Sequence, residues 1–115
     1  IEIGNNVIVY STDCEHPTTH LNRHVIDNAK NADILIHDAQ YTDEELPAHK
    51  GWGHSSWQQA VKVAESANAK QLILYHHDPS RSDESLKVLE NNAQKEFPNT
   101  LAAKQGMEIH IPASY

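Results

Sequence analysis

The chain has one cysteine, Cys14, in 115 residues. No disulfide can form within it, which fits a reducing compartment and leads us to expect a cytoplasmic protein. No stretch approaches the roughly 18 apolar residues of a membrane span, and no signal-peptide pattern is present, so no membrane partner is expected. Clustered Lys and Arg are also lacking. Nine basic residues stand against sixteen acidic ones, and the net charge of −7 argues against a broad, non-specific nucleic-acid platform. It leaves a phosphate-bearing substrate open, because bound cations reverse the local sign. Internal repeats, linkers and low-complexity tracts are absent too. The length corresponds to one domain, 1–115, or part of one.

What the chain has in excess is histidine, with nine residues. They fall into an ordered pattern. "IEIGNNVIVYSTD" reads as a hairpin, with a Gly-Asn-Asn turn leading into Val7 to Tyr10. Leu21, Val25, Ile26 and Ala29 have helical spacing, with Thr18 or Thr19 as cap. "ADILIHDA" is a buried strand, and the polar loop "QYTDEELPAHKGWG" follows it. Ser55 and Gln58 then match a capping box ahead of the apolar stripe Trp57, Ala60, Val61, Ala64 and Ala67. "LILYHHDP" starts as a strand buried on both faces and stops at a breaker. Ser82 caps a helix with Leu86, Leu89, Ala93 and Phe97 in register, and "GMEIHIP" reads as the last strand.

Strands alternating with helices imply an α/β layered fold, in which functional groups gather after the strand carboxyl ends. Here three strands end alike: "VIVY" runs into "STDCEH", "DILI" into "HDAQ" and "LILY" into "HHDP". Each delivers an aspartate and at least one histidine, which points to a metal or catalytic cluster. Asp13 can accept two cations, one per carboxylate oxygen, or can serve as an Asx turn or cap. His76 and His77 alternate faces if the strand continues, so one is a ligand and the other faces away. Asp78 either supports that ligand or leads the turn before Pro79. His54 precedes a helix start, where amides suit anions, and a carboxylate such as Asp38 could orient it toward a phosphoryl oxygen. Equally, His54 could be an ordinary residue ahead of a helix, and Asp38 a cap for local amides. His16, His20 and His24 read as solvated. His37, His49 and His110 carry no functional reading, and Tyr41, Trp52 and Trp57 read as core or loop packing.

"YSTDCEH", "LIHDAQY", "GWGHSSWQQAV" and "LILYHHDPSRSD", in that order and spacing, resemble the C-terminal half of a metallo-β-lactamase-fold hydrolase. The phosphodiesterase-like branch, with tRNA 3′-processing ribonucleases and cyclic-phosphate diesterases, is the most similar. The resemblance implies half of an αββα sandwich and a binuclear site of two divalent ions, zinc, manganese or iron. It implies that Asp13 bridges the ions, that His76 is a terminal ligand, that His54 contacts the scissile phosphate and that Asp38 orients it. The family's His-x-His-x-Asp-His motif and a further histidine are absent, and would lie upstream of Ile1.

Two readings follow. In the first, the chain supplies part of a metal-dependent phosphodiester hydrolase. Hydroxide generated at the metal attacks a small phosphodiester or a cyclic phosphate, and nucleic acid is left undecided. The missing N-terminal half, or a second chain, completes the site, so the isolated chain is expected to be weakly active or inactive. In the second, the same half-fold is a non-catalytic regulatory or assembly module that self-associates through an exposed sheet edge.

Overall fold

The computed structural model describes residues 1–17 and 20–109. A five-stranded sheet runs in the order β1 (Glu2–Ile3), β2 (Asn6–Ser11), β3 (Ile34–Asp38), β4 (Gln71–Tyr75), β5 (Thr100–Ala102). The β1–β2 hairpin is antiparallel, and its tight turn uses Gly4 at φ +62°. All other pairings are parallel, linked through α1 (Arg23–Ala29), α2 (Trp57–Ala67) and α3 (Asp83–Glu96). Successive parallel strands are neighbours, so right-handed crossovers place all three helices on one face. Accordingly α2 packs against both α1 and α3. Leu35, Leu72 and Leu74 point into that layer, against Ala60, Val61 and Ala64 of α2. Ile8, Tyr10, Ile36, Ile73 and Tyr75 alternate with them and lie on the opposite face, which no helix covers among the described residues. There Tyr10 and Tyr75 are 56% and 41% exposed, so β4 is not buried on both faces to its end as the sequence implied.

The α/β layering expected from the sequence is present, and its local signals mostly hold. Ser82 caps α3, accepting from the Ser85 amide at 3.1 Å, with Asp83 and Glu84 in the first turn. Three details differ. Helix α2 is capped by Ser56, not Ser55, with Gln59 closing the box. Both serines have a glutamine three residues on, and Ser55 is drawn off to donate to the Cys14 carbonyl at 2.5 Å. Helix α1 is capped by Asn22, whose Oδ1 accepts from the His24 amide. The expected caps, Thr18 and Thr19, lie outside the described residues. Finally, the last strand is Thr100–Ala102, held by parallel pairing to β4. Residues 107–109 form no strand, and the rest of "GMEIHIP", with His110, lies outside the described residues.

Candidate metal centre

Three parallel strands end beside one another, so the residues that follow them converge. Asp13 follows β2, Asp38 closes β3, and His76 follows β4. His54 comes from the loop that enters α2. These four offer donor atoms that all lie within 4.8 Å of one another. The four site residues expected from the sequence are thus brought together.

Asp38 is the hub. Its side chain is fully buried, and it accepts from the amides of Asp13 (3.1 Å), Ser55 (3.0 Å) and Gln40 (3.3 Å). His54 Nδ1 lies 2.9 Å from Asp38 Oδ2. A buried carboxylate needs such compensation, and this set also ties the β2 loop to the start of α2. His76 Nδ1 lies 3.1 Å from Asp13 Oδ1 and 3.4 Å from Asp38 Oδ2. The His54 and His76 rings meet edge-on, 4.6 Å apart.

Asp13 and His76 both adopt left-handed backbone, at φ 51° and 62°. Asp and His tolerate that region better than most residues, yet it carries strain. Asp13 stays 71% exposed while His54 is 16% exposed, so the acid faces solvent and the imidazole is sheltered. A cavity of about 600 Å³, lined by Tyr10, Asp13, Tyr75, His76, His77 and Lys104, opens on this corner. The donor set is carboxylate and imidazole without sulfur, which suits zinc, manganese or iron.

The neighbouring polar residues sort themselves out. Asp78 takes the turn reading: its Oδ1 accepts from the Ser80 amide at 3.0 Å and the Ser80 hydroxyl at 2.8 Å. His77 stays out of the cluster, and burial lowers its pKa. Glu15 was not singled out from the sequence. Its carboxylate accepts from the amides of Gly51 and Gly53, both at positive φ, and so pins the "GWG" loop that delivers His54. His16 is not solvated. It is 4% exposed, because the β2 loop folds back and sets its ring edge to edge with that of His37, with the two Nε2 atoms 3.1 Å apart.

The parallel α/β layer thus gathers aspartate and histidine at adjoining strand ends, where a divalent cation could be held. The family model of the beta-lactamase superfamily domain matches residues 1–77, and the chain belongs to that superfamily. It is 40% identical over 108 residues to a ribonuclease Z of Archaeoglobus fulgidus, covering 90% of this chain and 32% of that protein. Two crystal structures superpose on it. One is the metallo-beta-lactamase fold protein YhfI of Bacillus subtilis, with a TM-score of 0.72 and 24% identity, covering 90% of this chain and 39% of that one. The other is the short form of human tRNase Z, with a TM-score of 0.65 and 25% identity, covering 92% and 34%. The chain spans between 28% and 32% of the length of the first ribonuclease Z relatives it matches. No helix among the described residues is long and apolar enough to cross a membrane.

Proposed function

We propose that this chain forms one side of a divalent-metal site that hydrolyses phosphodiester bonds in RNA, with 3′-extended tRNA as the substrate class. The observation that carries the reading is the Asp38–His54 pair, 2.9 Å apart, set against Asp13 and His76. The ribonuclease Z relatives and the tRNase Z superposition favour RNA over the small phosphodiester or cyclic phosphate expected from the sequence, which had left nucleic acid undecided.

In this reading Asp13 and His76 hold metal. When bound, the divalent cation supplies Lewis acidity toward a phosphoryl oxygen and acidifies water. Asp38 accepts the His54 Nδ1 proton, which fixes the tautomer and leaves Nε2 to meet a phosphoryl or leaving-group oxygen. A stable zinc site uses three or four protein ligands. The remaining ligands would therefore come from outside these 115 residues, with this chain as the C-terminal part of the domain. The uncovered sheet face bearing Tyr10, Ile36 and Tyr75 is where that other half would pack.

A chimera tests this. Residues 1–109 replace the matching segment of the Archaeoglobus fulgidus ribonuclease Z, and manganese-supported trimming of a 3′-extended tRNA is measured. We expect trimming by the chimera, and its loss by a hundredfold or more in Asp13→Ala and His54→Ala. A folded chimera without activity, or one indifferent to those substitutions, would defeat the proposal.

A further inference from the structure

A second cluster lies on the other side of β3. Cys14, His16 and His37 offer donor atoms within 4.8 Å of one another, and the chain has no other cysteine. His37 is fully buried on the helix face of the sheet. Its Nδ1 lies 2.8 Å from the Asp38 carbonyl, so Nδ1 donates and the Nε2 lone pair is turned outward. A carbonyl behind one imidazole nitrogen is how metal-binding histidines are commonly oriented. That Nε2 lies 3.1 Å from His16 Nε2 and 3.8 Å from Cys14 Sγ.

We infer that Cys14, His16 and His37 form a second, sulfur-containing metal site that takes zinc. Zinc–nitrogen bonds of about 2.0 Å and a zinc–sulfur bond of about 2.3 Å, in tetrahedral arrangement, put nitrogens about 3.3 Å apart and sulfur about 3.5 Å from each nitrogen. The two measured edges are within a few tenths of an ångström of those values. The third edge, under 4.8 Å, leaves the thiol at most about 1.3 Å to close. Three protein ligands leave a fourth position open, near Ser55 Oγ, which lies 3.6 Å from the sulfur. A thiolate with two imidazoles selects zinc over manganese or magnesium. On its His16 side the cluster borders a cavity of about 660 Å³, lined also by Glu15, His20, Lys50 and Lys62, apart from the cavity at the Asp13 corner.

In the metal-free chain a proton occupies the place of the ion. The Asn22 amide donates to His16 Nδ1 at 2.8 Å, so His16 carries its hydrogen on Nε2 and donates it to His37 Nε2. Zinc entry moves that hydrogen to Nδ1, releases the thiol proton to solvent and forms one sulfur and two nitrogen bonds to the ion. The Asn22 amide loses its acceptor, which weakens the site relative to one that needs no rearrangement. No electron is transferred.

Cobalt(II), a spectroscopic stand-in for zinc, is the probe. The Asp13 corner has no sulfur, so a thiolate-to-cobalt charge-transfer band in the near ultraviolet reports this cluster alone. Titrating the chain with cobalt chloride should produce the band with about one equivalent, and zinc should abolish it. Cys14→Ser should remove it, and Asp13→Asn should leave it in place. A second readout needs no substitution: one equivalent of zinc should slow alkylation of Cys14 by iodoacetamide tenfold or more. Absence of the band in the folded chain, its survival in Cys14→Ser, its loss in Asp13→Asn, or unchanged alkylation would each overturn the inference. None of these outcomes bears on the chimera's RNA trimming.

Discussion

His37 and Asp38 are adjacent in sequence and serve opposite faces of the same sheet. Strand alternation sends the imidazole into the helix layer beside Cys14 and His16, and the carboxylate to the corner shared by Asp13, His54 and His76. Besides the peptide bond between them, His37 Nδ1 donates to the Asp38 carbonyl at 2.8 Å. Two polar clusters are thus built on one strand end, and the backbone of Asp38 is held from behind while its side chain gathers donors in front.

The first prediction concerns that gathering. Asp38→Asn puts an amide NH2 where at least one of four donors now finds an oxygen. A buried donor left without an acceptor costs about 1–3 kcal/mol. Urea unfolding at pH 7 should show a loss of that size. A loss below about 0.5 kcal/mol would mean that the donors find water or other acceptors.

Acid stability provides the second. Burial, then the neighbouring His37, hold the His16 pKa down to about 4, and burial lowers His37 as well. Both rings are neutral in the folded chain, while the unfolded chain protonates them below about 6.5. Their favourable contribution is therefore full above pH 6.5 and is lost as pH falls toward 4. For His16 the loss between pH 7 and pH 4.5 is about 2 kcal/mol. Denaturation midpoints of the metal-free chain at pH 7 and pH 4.5, compared with His16→Gln, measure it. An equal acid loss in the variant would assign the effect to other groups.

How far the sequence reached is visible at particular residues. Ile34–Asp38 and Gln71–Tyr75 were readable because unbroken apolar runs ending in His and Asp leave few other structures open. The convergence of Asp13, Asp38 and His76 was readable because strand ends in such sheets meet at one edge, whereas His54 precedes a helix and its place in the cluster was left open by spacing alone. The cap of α2 was missed by one residue, since Ser55–Gln58 and Ser56–Gln59 satisfy the same pattern and only the tertiary bond from Ser55 to Cys14 chooses between them. Thr100–Ala102 has three residues and owes its pairing to β4, whereas "GMEIHIP" alternates more convincingly and does not pair over 107–109. His16 had no local mark of burial, because its partner His37 is 21 residues away. The one available signal was a cysteine and a histidine directly behind the "STD" strand end.

A third prediction follows from Glu15. Its carboxylate receives the Gly51 amide at 2.8 Å and the Gly53 amide at 3.0 Å, across 36 and 38 residues of chain. Hydrogen exchange of those two amides should accelerate about tenfold or more in Glu15→Ala, as about 1–2 kcal/mol of local restraint disappears. Glu15→Gln retains an acceptor and should recover most of the protection. Unchanged exchange in Glu15→Ala would show that the glycine turns hold the loop by themselves.

The last prediction turns on the left-handed backbone at His76. A side chain at φ 62° costs on the order of 1 kcal/mol relative to glycine there. The ring is partly exposed, and its contact with Asp13 Oδ1, itself mostly exposed, returns little. If the position is occupied by histidine for metal binding and not for folding, His76→Gly should leave the metal-free chain as stable as before, or up to about 1 kcal/mol more stable. In the chimera, where the remaining ligands are supplied, the same substitution should sharply weaken manganese binding at the Asp13 corner. Thermal unfolding without metal, paired with calorimetric manganese titration, reads both. A variant that is clearly destabilised while binding manganese normally would make His76 a structural residue, and would remove one of the two ligands on which the hydrolase reading stands.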